Sequence, residues 1–161
     1  MITLKWLENK NACKEAIDWF KTQPDKSEKA LLQACIQENY FHWANWGIAR
    51  KLNKINQIKY GIYAAKQVIN IFEENYPNDN RPRKAIQAAE KYIKNLTLKN
   101  KNAAVYAAYA AAYAAAYAAY AAAYAAADAA YAASAVEKNL LIKILRYGMK
   151  LFNFQKSKQR K

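Results

Sequence analysis

The chain has 161 residues and a mass of 18.4 kDa, the size of one domain or of one domain with a tail. Hydrophobic residues make up 54% of it, which excludes wholesale disorder, and its 3 Gly and 3 Pro are too few for the turns of a β-sandwich or β-barrel. Lys and Arg number 26 against 12 Asp and Glu, so the formal net charge of +14 predicts an acidic partner or surface.

The first third of the sequence predicts a series of short helices. Asn11 is the expected N-cap of the second helix, which ends near Pro24, and Ser27 is the expected N-cap of the third. Residues 39–52 carry aromatic side chains on several sides of a helix, so they predict a central helix that is largely buried.

Two longer helices follow in the middle of the sequence. Apolar residues recur at helical spacing over residues 53–76, and Pro77 ends this helix. Pro82 stands in the first turn of the next helix, which we expect to run to about Lys94. The polar segment 96–102 is predicted to be a connector rather than a linker between domains.

A low-complexity segment then predicts one long helix. Residues 103–135 contain 23 Ala and 7 Tyr, and because alanine has the highest helix propensity, a helix is predicted over residues 103–136. The tyrosines are spaced three, four or seven residues apart and form a tyrosine ridge on one side of this helix: Tyr106, Tyr109, Tyr113, Tyr117, Tyr120, Tyr124 and Tyr131. Monomers rarely expose a large aromatic patch, so we expect the shorter helices to wrap the ridge; a solvent-facing ridge that binds a ligand is the alternative. Alanine and tyrosine insert poorly into hydrocarbon, so we predict no transmembrane span.

Asp128 occupies a position where the tyrosine ridge would place another ring. A carboxylate there is costly unless it is partnered, and Tyr124 and Tyr131 are its neighbours at i−4 and i+3. Two interpretations stay open. The carboxylate is satisfied inside the fold, or it lies at the lip of a pocket and accepts a basic or donor group of a partner.

The C-terminal end is basic and apolar. After Glu137 there is no acidic residue, and residues 139–152 predict a basic helix whose surface carries Lys143, Arg146 and Lys150. We expect this helix to dock on the rest of the protein and to be followed by a solvated lysine tail. Binding to an acidic groove, to an anionic membrane or, non-specifically, to nucleic acid are the alternatives.

The sequence contains no recognisable catalytic constellation. His42 is the single histidine, without a second histidine or a suitably spaced Asp or Cys, and there is no glycine-rich phosphate loop. We therefore expect a protein that is not an enzyme and that has no cofactor and no metal site. Cys13 and Cys35 lie 22 residues apart, a pattern typical of reduced thiols in a cytoplasm.

The segment around Pro82 combines a turn with two arginines. Asp79 or Asn80 is expected to cap the helix that Pro82 opens. Arg81 and Arg83 oppose the helix dipole at this end, so they need another reason to be there. One reason is pairing with Glu73, Glu74 or Asp79 inside the protein, and the other is a clamp for an anion or a carboxylate of a partner.

Four segments carry a resemblance to a known family: Leu4–Trp19, Trp43–Arg50, Tyr76–Ile86 and the Ala/Tyr repeat with Asp128–Ala133. With them, residues 3–135 resemble the helical immunity proteins of bacterial polymorphic-toxin systems, the immunity-protein-five-like domain. The resemblance implies a cytoplasmic, non-enzymatic all-α protein that neutralises a partner protein by binding it. The partner-binding residues that it implies are Trp43, Trp46, Asp79, Arg81, Arg83 and Asp128, to which we add Tyr124 and Tyr131.

These observations combine into one prediction. The fold is all-α, a compact bundle of short helices around the long Ala/Tyr helix, with a domain over residues 1–138 and a basic helix and tail over residues 139–161. The predicted function is stoichiometric inhibition of an acidic partner protein. The alternative is a phage or mobile-element inhibitor that binds a nucleoprotein of a nucleic-acid-guided defence complex through its basic surface.

Overall fold

Every element that the structure describes is an α-helix, which confirms the predicted all-α class. The computed structural model describes residues 2–104 and 130–159; at 75, 130–137 and 154–159 it describes the backbone alone. The helices are α1 (Leu4–Asn9), α2 (Lys14–Thr22), α3 (Glu28–Gln37), α4 (Phe41–Lys51), α5 (Lys54–Asn75), α6 (Arg81–Lys94) and α7 (Ala130–Gln159). Residues 98–104 are also helical.

The chain divides into two compact units, Met1–Arg50 and Lys51–Lys161. In the first unit, Leu7 of α1, Phe20 of α2 and Leu31 of α3 form a buried cluster, and Trp6, Ile17, Trp19 and Trp46 pack against it half-buried. This small core is what holds the short helices of the first unit together, since none of them is long enough to be stable alone.

In the second unit, α5 packs against both α6 and α7. Tyr60 and Ile69 of α5 are buried, as are Leu145 and Phe152 of α7. Burial raises the pKa of the Tyr60 hydroxyl to about 12, so this side chain is neutral at physiological pH. The docking of the C-terminal helix predicted from its apolar residues is confirmed.

Two asparagines close helices in the first unit. Asn11 and Asn39 have φ values of 55° and 63°, the left-handed conformation that asparagine tolerates better than most residues. Each follows a helix C-cap, and the next amide donates to a carbonyl one turn back, Ala12 N to Leu7 O at 3.0 Å and Tyr40 N to Cys35 O at 2.7 Å. This is the Schellman pattern of a helix end. The prediction that Asn11 is an N-cap was wrong, because Cys13 is the N-cap of α2.

The prediction of a largely buried helix over residues 39–52 was also wrong. Only Ala44 and Ile48 of α4 are buried, Trp43 and Trp46 are half-buried, and His42 is exposed. The aromatic side chains on the several sides of α4 are therefore not all buried.

Several other helix ends follow the local signals, but Asn80 at the N-cap of α6 makes no side-chain capping hydrogen bond, and Asp79 accepts from the amide of Arg81 instead. The hydroxyl of Ser27 accepts from the amide of Ala30, Asn53 caps α5 by accepting from the amide of Asn56, and Pro82 lies in the first turn of α6. The connector after α6 is shorter than predicted, because the chain is helical again from residue 98.

The long Ala/Tyr helix lies mostly outside the described residues, so its helical structure and its packing stay predictions. The proposed boundary between residues 138 and 139 falls within α7. The division into domains at that point also stays a prediction.

Candidate functional site

Helix α7 has one side that docks on α5. Leu145 is only 2% exposed, and Phe152 is buried two turns further along the helix. Between them, the ring of Tyr147 stacks on the ring of Tyr63 of α5, with centroids 3.9 Å apart and planes inclined by 14°. These contacts hold α7 in a fixed rotation about its axis.

The opposite side of α7 is polar and exposed. Its residues follow each other at spacings of four, three, four and three, so they share one face of the helix: Asn139, Lys143, Arg146, Lys150 and Asn153. The three cations at its centre, Lys143, Arg146 and Lys150, are called the basic stripe below. Among the described residues no ion pair or hydrogen bond engages the basic stripe.

The net charge is concentrated in the second unit. Residues 51–161 contain 19 Lys and Arg against 6 Asp and Glu, whereas residues 1–50 contain seven against six. Nearly all of the net charge of +14 therefore belongs to the unit that carries the basic stripe. A field of one sign on one unit attracts acidic partners and speeds their association.

The two arginines before and after Pro82 are paired inside the second unit. Arg81 donates from Nε and Nη2 to the carboxylate of Asp79 at 2.9 and 2.7 Å, and Asp79 also accepts from the amide of Arg81. Arg83 donates in the same bidentate manner to Glu73 of α5. Hydrogen bonds from these guanidinium groups lower the pKa of Asp79 and of Glu73. Internal pairing, the first of the two reasons considered from the sequence, is thus what is found, and contact of these residues with a partner stays a prediction.

The two tryptophans of α4 have different surroundings. Trp46 meets the ring of Trp6 edge to face at 5.7 Å, and the guanidinium of Arg50 lies 4.2 Å from its centroid. These contacts give Trp46 a structural role in the first unit.

Trp43 belongs instead to a partly exposed aromatic cluster. Its ring lies 4.2 Å from that of Tyr40 and 5.7 Å from that of Trp19. The indole nitrogen of Trp19 donates to the carboxylate of Glu38 at 2.8 Å, which fixes this ring. A role for Trp43 in partner binding stays a prediction.

No cluster of metal-ligating groups is found in the described part of the chain. Within residues 2–104 and 130–159, no group of three or more His, Cys, Asp and Glu side chains could hold a metal ion. Cys35 is buried, and desolvation raises the pKa of its thiol to about 12, whereas Cys13 is exposed. The ring of Trp43 lies 5.3 Å from that of His42.

Three of the predicted site residues cannot be placed with their side chains. Tyr124 and Asp128 lie outside the described residues, and Tyr131 belongs to α7 with its backbone alone. Both interpretations of the Asp128 carboxylate therefore stay predictions.

Sequence reasoning missed two features of the second unit. The stack of Tyr63 on Tyr147 joins residues 84 positions apart, and no local pattern indicates it. Leu96 and Leu98, in the segment predicted to be a polar connector, are 60% and 71% exposed. The sequence signal that could have indicated this exposed apolar feature is the pair of leucines, which alternate with polar residues and are flanked by lysines.

Comparison with known protein families gives a match over the whole of the second unit. A family model described as "Imm-5 like putative immunity protein" matches residues 48–161, more than two thirds of the chain. The match contains Asp79, Arg81, Arg83 and the basic stripe, and it begins after Trp46. It thus extends further towards the C-terminus than the resemblance predicted over residues 3–135. No curated protein and no solved structure matches the chain significantly. Among the described residues, no helix combines the length and the apolar character that a membrane crossing needs.

Proposed function

We propose, because this chain belongs to the Imm-5-like immunity protein family, that it inhibits a partner protein by binding it in a one-to-one complex and without catalysis. The partner that the charges favour is an acidic protein. The basic stripe of α7 is its contact surface, and the predicted residues around Pro82 and Asp128 lie in the same matched unit.

The observation that carries this proposal is the row of exposed cations on α7. Lys143, Arg146 and Lys150 are exposed, share one face and have no acidic partner among the described residues. Two arginines elsewhere in the second unit, by contrast, form ion pairs within the protein, Arg81 with Asp79 and Arg83 with Glu73. Cations that have no acidic partner in the described part of the chain are available to a partner protein.

The docking of α7 favours binding in a second way. Leu145 and the stack of Tyr147 on Tyr63 fix the helix before a partner arrives, so association does not have to order it. Charged groups of this kind act mainly on the association rate, because they steer the encounter of the two proteins. We therefore expect the rate constant of association to depend steeply on salt and the dissociation rate to depend on it less.

The test starts with the full-length protein as bait in a lysate of the organism that encodes it, with and without nuclease. The captured protein is then identified, produced separately and mixed with the bait in a calorimeter. We expect capture that survives nuclease, a stoichiometry of one to one, and loss of the captured protein's activity when the complex forms.

A pair of charge-matched variants tests the surface. Replacing all three cations of the basic stripe with Gln should slow association by about tenfold. The control replaces Lys5, Lys10 and Lys29 with Gln. These lysines are exposed and lie in the first unit, and their replacement removes the same charge. Equal slowing in both variants would show that net charge alone matters and would refute the basic stripe as the contact.

Comparing capture with and without nuclease distinguishes the alternative function from the proposed one. The charge concentrated in residues 51–161 also suits a nucleoprotein of a defence complex. Capture that disappears after nuclease treatment would favour that alternative over an acidic protein. Turnover of a small molecule by the purified protein would refute both.

A further inference from the structure

The joint between α6 and the helical residues 98–104 projects two leucines into solvent. All residues of the segment 94–99 are exposed. Leu96 and Leu98, at 60% and 71%, have the greatest exposure of any large hydrophobic residue in the described part of the chain. A side chain that stays this exposed gains almost none of the free energy of burial, so folding does not explain these two leucines.

The joint is held in one conformation by its polar residues. The hydroxyl of Thr97 accepts from the amide of Asn100 at 3.2 Å, and the side-chain amide of Asn100 donates to the carbonyl of Asn95 at 2.9 Å. Asn100 itself is buried. The leucines are therefore presented by an ordered turn, and holding them in place costs little entropy when they bind.

Three lysines lie close to the two leucines in the sequence. Lys94, Lys99 and Lys101 are all exposed, and none takes part in an ion pair within the described residues. The sequence contains no acidic residue from position 91 to position 127. Leu96, Leu98 and these three lysines, called the leucine–lysine joint below, thus combine an apolar tip with positive charge on its flanks.

The composition of the leucine–lysine joint favours lipid over protein as its partner. Cores of protein interfaces are enriched in aromatic residues, Met and Arg and depleted in Lys, and leucine is uncommon among their energetic hot spots. Each lysine near an anionic membrane surface raises the affinity of the protein for that surface about fivefold. The long aliphatic part of the lysine side chain allows its charge to remain at the headgroups. Stable attachment to a membrane surface needs an apolar insertion together with such a basic patch.

We propose that the leucine–lysine joint attaches the protein to the surface of an anionic lipid membrane. Leu96 and Leu98 enter the boundary between headgroups and acyl chains, and the three lysines contact the phosphate groups. The attachment is peripheral and does not depend on the inhibition of a partner protein or on the basic stripe.

Sedimentation with lipid vesicles tests the attachment. Full-length protein is mixed with vesicles of phosphatidylcholine alone, or with one third phosphatidylglycerol, at about 0.1 M salt, where charges remain unscreened over about 10 Å. We expect at least about tenfold stronger partitioning onto the anionic vesicles. Leu96→Ser with Leu98→Ser should reduce it by at least about tenfold.

Two control variants locate the effect. Val68→Ser with Ile71→Ser removes the same number of exposed apolar side chains from α5, at 42% and 55% exposure, and should leave partitioning unchanged. Replacing Lys94, Lys99 and Lys101 with Gln should abolish the preference for phosphatidylglycerol, whereas the same replacement of the basic stripe should largely preserve it. Equal losses in the joint variants and in their controls would overturn the proposal.

A fluorescent label reports insertion directly. Leu98→Cys in a Cys13→Ser background carries an environment-sensitive dye, since the remaining Cys35 is buried and its pKa of about 12 keeps it unreactive. The emission should shift to the blue with anionic vesicles, and a label at Val68→Cys should not respond. No shift with vesicles, or a shift only with the captured partner protein, would assign the joint to protein binding and refute the membrane proposal.

Discussion

Asn39 ends helix α3 with a φ of 63°, a conformation that costs most residues with a Cβ about 1–2 kcal/mol. Asparagine and glycine tolerate it, and the turn is fixed by the bond from Tyr40 N to Cys35 O. Asn39→Ala should lower the free energy of unfolding of the first unit by about 1 kcal/mol, whereas Asn39→Gly should leave it nearly unchanged. Urea titrations followed by tryptophan fluorescence measure both.

The control for Asn39 is Asn9→Ala. Asn9 is exposed and lies at the end of α1, inside the helix, where alanine is at least as favourable as asparagine. Asn9→Ala should therefore not lower the free energy of unfolding of the first unit. Equal destabilisation at both positions would mean that the side chain, and not its backbone conformation, is what matters at Asn39.

The ion pair of Glu73 with Arg83 predicts a pH dependence of stability. The hydrogen bond from Arg83 holds the pKa of Glu73 below its usual value. A carboxyl whose pKa is lower in the folded state stabilises the fold above the unfolded pKa, and this contribution is lost as the pH falls through the folded value. Glu73→Gln should therefore make the acid-induced loss of stability shallower below about pH 4.

Urea midpoints measured by circular dichroism from neutral to acidic pH test this expectation. Glu74→Gln is the control, because Glu74 is exposed and takes part in no ion pair within the described residues. If both variants follow the wild-type curve, the pair with Arg83 does not contribute to stability.

At the scale of the helix, α7 depends on its buried leucine. Leu145 is 2% exposed, and Leu145→Ala removes buried methyl groups and leaves a cavity, so the second unit should lose about 3 kcal/mol of stability. Asn153→Ala, on the exposed side of α7, should change it by less than about 0.5 kcal/mol. Chemical denaturation followed by circular dichroism distinguishes them, and similar losses in both would argue that α7 does not dock through Leu145.

Helix boundaries were predictable where a single local signal fixes them. Ser27 and the prolines at 77 and 82 act through their own side chains or rings, so the sequence suffices. Asn11 was mistaken for an N-cap because asparagine serves both ends of a helix, and the difference lies in φ, which the residue type does not reveal.

Features that join distant residues were not predictable. The exposure of α4 and the stack of Tyr63 on Tyr147 depend on which helices meet, and neither is encoded in helical periodicity. Of the candidate site, the exposed position of the basic stripe followed from its spacing on a docked helix. The internal pairing of Arg81 and Arg83 was one of two alternatives, and geometry was needed to choose between them.

At the scale of the whole molecule, the two compact units predict unfolding that depends on the probe. All four tryptophans lie within residues 1–50, so tryptophan fluorescence reports the first unit, whereas circular dichroism reports all helices and includes the long α5 and α7. Two compact units of one chain need not unfold in one cooperative transition.

Two matched leucines make this testable in the full-length chain. Leu31 and Leu145 are buried to 5% and 2% exposure, one in each unit, and each loses the same atoms on replacement by alanine. Leu31→Ala should move the fluorescence transition to lower urea concentration, and Leu145→Ala should move the circular dichroism transition while the fluorescence transition stays in place. If each variant shifts both transitions equally, the units unfold as one cooperative body, because destabilising either would then unfold the other.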